Sequence, residues 1–166
     1  EELYRQGLRM ADVRSITVHF PPGADRALRY TRPQTGREGQ FSVEFIIWQI
    51  LQHGRIEDAY FRQSTVPQAF LEALPKFRRA YDVPAMQLSE RAVPLTAETV
   101  DGRHWQVDVR EPQGSPARPL TIAQQKEKLE MAVGSLSAGH IIDTIGNWPD
   151  GEIGPCLDWI KGEMFP

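Results

Sequence analysis

RPQTGREGQFSVEFIIWQILQHG, residues 32–54, decides how this chain is read. A polar, glycine-bearing loop with two arginines runs into Ser42, and an apolar helix follows at once. Ser42 is a natural N-cap, because its hydroxyl can accept a backbone N–H that the first helical turn leaves unbonded. Glu44 sits where the positive end of the helix dipole favours a carboxylate. Val43, Phe45, Ile46, Ile47, Trp48, Ile50 and Leu51 wrap most of the circumference, so this should be the central, buried helix, closed by Gly54 in a left-handed turn. Its N-terminus presents free N–H groups, and Arg32 and Arg37 lie just upstream as bidentate carboxylate donors. The stretch therefore predicts a binding place for a small carboxylate, with Arg32, Arg37 and Ser42 as its groups.

Upstream, residues 13–20 alternate with period two, with Ile16, Val18 and Phe20 facing the core and Ser15, Thr17 and His19 facing away beside Val13. Pro21-Pro22-Gly23 ends that strand, and a long polar loop leads to the central helix. Downstream, a short helix is expected around residues 56–61. Thr65-Val66-Pro67-Gln68 reads as a capping box opening another, to about residue 74. Strands follow at 85–91, 94–100 and 104–109, the last two joined by Asp101-Gly102, a hairpin signal whose two central residues both require positive φ. Trp105, Val107 and Val109 should share the inward face. Thr121-Ile122-Ala123-Gln124 is a second capping box, starting a helix that Gly134 closes, and further short helices are expected at 137–145 and 154–162. Strand, helices, three strands, helices is the order of an α+β layer, an antiparallel sheet of about four strands packed with helices.

With 166 residues, 40% hydrophobic and 25% charged, the chain has the composition of an ordinary globular domain, and the reading is one α+β domain over 1–166. A net charge of −3 gives no general attraction to a polyanion, which argues against nucleic acid. The single Cys156 permits no internal disulfide and no cysteine-built metal cluster, and suits a reducing cytoplasm. The four histidines lack ligand spacing, so no metal is expected. His53, beside the glycine that ends the central helix, reads as a capping residue. No apolar run approaches the about 20 residues needed to span a bilayer, and no membrane association is expected. Residues 1–10 read as the tail of an amphipathic helix, as in a piece of a longer protein.

Phe41, Ser42 and Phe45, the Asp101-Gly102 hairpin, GSPARPLT at 114–121 and the helix with Lys126, Lys128 and Leu129 resemble, in order and spacing, the C-terminal domain of the MmgE/PrpD family. That family includes 2-methylcitrate dehydratases, cis-aconitate decarboxylases and iminodisuccinate epimerases. The resemblance implies the lid of a two-domain enzyme, with most catalytic groups on an N-terminal helical domain outside this sequence, so no residue here is assigned as catalytic. It implies a cytoplasmic lyase acting on a small di- or tricarboxylate without cofactor, homodimeric at full length. Phe45 stands where the family carries a tyrosine. Lacking the hydroxyl, it cannot donate a hydrogen bond or act as acid or base, so either the substrate differs or the ring only shapes the pocket. The alternative is a freestanding ligand-binding or protein-interaction module, since an α+β layer serves regulation as readily as catalysis.

Overall fold

The structure, a computed structural model, describes residues 1–84, 93–109, 113–134, 139 and 141. The chain divides into two compact units, Glu1–Glu111 and Pro112–Pro166.

The first unit carries a sheet made of β1 (Val13–His19), β2 (Phe77–Ala80), β3 (Val93–Thr99) and β4 (His104–Val109), in the order β2-β1-β3-β4. β1 pairs antiparallel with β3 and β3 with β4, but β2 runs parallel to β1. The α+β layer is as expected, with a mixed sheet rather than a wholly antiparallel one. The parallel pairing follows from connectivity: β2 returns to the edge of β1 after a crossover containing four short helices, as parallel neighbours require.

Those helices are α2 (Gly36–Gly39), α3 (Val43–His53), α4 (Asp58–Phe61) and α5 (Gln68–Ala73); a one-turn α1 (Glu2–Arg5) precedes the sheet. They cover the face that shows Ile16, Val18 and Ala97, and the core forms where these meet Phe45, Trp48 and Leu51 of α3 and Phe70 of α5. Trp105 and Val107 pack against the same core, as alternation predicts. Val13 departs from it. Strict period two places it opposite Ile16, yet it is fully buried, because the β1–β3 register shifts between Val13 and Ser15 and turns it inward.

Two local expectations are corrected. At the β3–β4 hairpin only Gly102 has positive φ, at 82°, and no non-glycine residue of the turn does. Gly102 donates to the Thr99 carbonyl at 3.0 Å, making a turn that needs one left-handed residue instead of two. At α5 the N-cap is Pro67, with no side-chain cap. The Val66 N–H is instead donated to Gln34, which holds this segment extended against the loop past the point where a capping box would have started the helix. The long loop before α3 also contains a helical turn, α2, capped by Thr35.

In the second unit, Ser115 and Arg118 form an antiparallel bridge, and α6 (Ile122–Val133) opens with the predicted capping box between Thr121 and Gln124. The strand expected at 85–91 lies outside the described residues, as do the helices expected at 137–145, save residues 139 and 141, and at 154–162.

Candidate functional site

Ser42 caps α3 as the sequence implies: its hydroxyl accepts from the Phe45 N–H at 3.3 Å. It also donates to a Glu44 carboxylate oxygen at 3.0 Å. Both Ser42 and Phe45 are 0% exposed, so neither meets solvent.

Glu44 in turn faces Arg79. Register with Val18 puts Arg79 on the helix-covered face of β2, where a charge survives only if paired. Its Nε and one terminal nitrogen hold the two Glu44 oxygens at 2.6 and 2.8 Å, a bidentate grip. The other nitrogen donates to Asp25 at 2.9 Å and to the Leu28 carbonyl at 2.7 Å. Tyr81 donates its hydroxyl to the same Asp25 oxygen at 2.8 Å. One guanidinium thus ties the loop after β1, the start of α3 and the edge strand β2 together.

Burial pushes the Asp25 carboxyl up, but hydrogen bonds from Tyr81 and Arg79 outweigh it and hold the group below its ordinary 3.8. The Asp25 hydrogen bond, helped by burial, pushes the Tyr81 phenol above its ordinary value. Burial works against the Arg79 charge, yet the two carboxylates more than compensate, so it stays protonated.

Above this network lies a cleft of about 650 Å³. Arg32, Thr31 and Gln34 line it from the loop, Arg78 and Tyr81 from β2 and its continuation, and Leu71, Leu74 and Phe77 give it an apolar wall. Glu44 and Arg79 form its floor.

Of the four residues singled out in sequence, only Arg32 lines the cleft. Ser42 is behind the floor, touching Glu44. Arg37 is exposed on α2, outside the lining. Phe45 is locked among aromatic rings, with Trp48 stacked at 5.7 Å and Phe70 edge-on at 4.9 Å. Gly39 makes room for that ring: a Cβ there would lie 2.3 Å from Phe45 Cδ1. Asp25, Arg78, Arg79 and Tyr81 escaped the sequence reading. The clue was the basic run at 76–79, in which two arginines alternate along a strand too short for its period to show.

Among the described residues, His19, His53 and His104 lie outside the cleft lining. His53 Nε2 shares a 2.9 Å hydrogen bond with the Tyr60 hydroxyl, and His19 lies between Asp82 at 2.9 Å and the Thr96 hydroxyl at 3.0 Å. Among the described residues no group of three or more His, Cys, Asp or Glu could hold a metal ion, and no helix is long and apolar enough to cross a membrane.

Residues 2–144 match the MmgE/PrpD C-terminal domain. The chain belongs to this family. No curated protein matches it. In this MmgE/PrpD domain the motif around Ser42 is accordingly the start of α3, with the arginine-lined cleft beside it.

Proposed function

We infer that this domain closes over a small di- or tricarboxylate in an MmgE/PrpD enzyme of the 2-methylcitrate dehydratase kind, a cytoplasmic lyase. The observation that carries the reading is the cleft beside the start of α3, whose rim holds Arg32 over a floor tied together by the Glu44–Arg79 ion pair. In this reading the rim guanidinium supplies the positive charge that attracts a carboxylate, while the paired floor gives the cleft its shape. Arg32 contacts the substrate, Arg37 adds charge from the neighbouring turn, Ser42 acts through Glu44, and Phe45 shapes the wall behind them.

The reaction in this reading removes a proton α to a carboxylate and expels water. The proton-transfer groups come from a helical N-terminal domain of the same enzyme, and closure by this domain excludes water and strengthens the field on the developing anion. An apolar groove of about 270 Å³ between Val43, Ile47 and Ile50 of α3 and Leu95 and Val107 of the sheet supports a docked neighbour, since a monomer gains nothing by leaving such surface open. The test is direct: assay the full-length protein with 2-methylcitrate and cis-aconitate. Turnover of either supports the reading, and neither turnover nor binding of any polycarboxylate rejects it in favour of a non-catalytic module.

A further inference from the structure

Arg79 is the cation in the cleft with the least left to offer a ligand. Four of its five N–H groups are already donated, to Glu44, Asp25 and the Leu28 carbonyl. Its two carboxylate partners leave the floor with an excess of negative charge. An anion entering the cleft is repelled from below and must find its attraction at the rim.

Two guanidiniums reach the rim, Arg32 and Arg78. Neither has an ion-pair partner among the described residues, whereas Arg14, Arg55, Arg62 and Arg103 all do. Arg78 gets there because β2 is the outer strand. Its register with Thr17 directs it to the face opposite the helices, and the cleft wraps that free edge, so both Arg78 and Arg79 line it. Tyr81 is already committed to Asp25, which leaves the two arginines as the cationic groups open to a ligand.

We propose that Arg32 and Arg78 are two anchors for the two carboxylates of one ligand, and that Arg78 makes the cleft prefer a dianion to a monoanion. Each guanidinium fork takes one carboxylate in bidentate fashion. A monocarboxylate satisfies one fork and still meets the negative floor, while a dicarboxylate gains both forks and lays its carbon chain along Leu71, Leu74 and Phe77. The volume lies within the range of small-ligand pockets, about 300–1,000 Å³. The proposal rests on the functional reading above only for the choice of carboxylate over other anions.

Calorimetric titration of the full-length protein with succinate, tricarballylate, acetate and inorganic phosphate tests it, beside Arg32→Ala, Arg78→Ala, Arg78→Lys and the control Arg55→Ala. The wild type and the control should bind the di- and tricarboxylate about tenfold or more tighter than acetate. Arg78→Ala should lose that ratio while its acetate affinity stays within about twofold, and Arg78→Lys should recover part of it. Because Arg78 is exposed, its variants should melt with the wild type. An unchanged ratio in Arg78→Ala, phosphate binding as tight as succinate, or no dicarboxylate binding by the wild type overturns the proposal. Arg78-dependent clamping without turnover of 2-methylcitrate or cis-aconitate leaves the anchors standing and sinks the reaction; turnover with an unchanged ratio does the reverse.

Discussion

Arg79 is the residue on which the site's shape depends most, and it is the one an apolar pattern hides. Arg79→Leu leaves Glu44 and Asp25 facing each other without their cation, and should cost about 3–5 kcal/mol in urea denaturation; a loss below about 1 kcal/mol means the network does not hold the floor together. Asp25 contributes with a definite sign. Its carboxyl is held below 3.8, so the stability it adds is present above that value and is lost as pH falls through the lower folded-state value. Tyr81→Phe removes the largest of the hydrogen bonds that lower it, so an NMR titration should show the Asp25 carboxyl moving up and acid unfolding beginning at higher pH. No upward movement contradicts the bond's role. At Phe45, restoring a hydroxyl tests whether the ring is walled in. Phe45→Tyr buries a phenol where the ring is 0% exposed, and without a partner this should cost about 1–3 kcal/mol by thermal melting; a neutral or stabilising change shows that the hydroxyl finds one.

Among the elements, α3 could be read in full and β2 could not. Ser42, the apolar run and Gly54 are local signals, and each does in the structure what a single turn of chain can dictate. Gly54 has φ of 81°, and a Cβ on it would lie 2.7 Å from the Tyr4 ring, so Gly54→Ala should lower the melting temperature through both strain and crowding. An unchanged melting temperature would show that Tyr4 yields freely. β2 carries FRRA, four residues with two charges, and nothing local says strand. What makes it one is distant: β1 offers a free edge, and Glu44 and Asp25 offer a partner for Arg79. The hairpin at Asp101-Gly102 was readable as a hairpin but not as a turn type, because Thr99 and Asp101 bond each other's side chains within a three-residue loop, 100–102, that has one left-handed residue. The cleft was half legible for the same reason. Arg32 lies beside the motif that announces it, whereas Arg78 and Tyr81 join it only through the parallel pairing of β2.

For the whole molecule, the ordered motifs spread over most of the chain placed it in its family, since order and spacing survive where single residues vary. They carry no information about which carboxylate the cleft takes. The decisive measurement is steady-state kinetics of the full-length protein on 2-methylcitrate and cis-aconitate, for the wild type and Arg32→Ala. The account predicts turnover of at least one of them by the wild type, and a KM about tenfold or more higher in Arg32→Ala with kcat changed far less, since losing a binding contact made equally in ground and transition states acts on KM. A wild-type KM in Arg32→Ala, or no turnover and no binding of any polycarboxylate by the wild type, contradicts it.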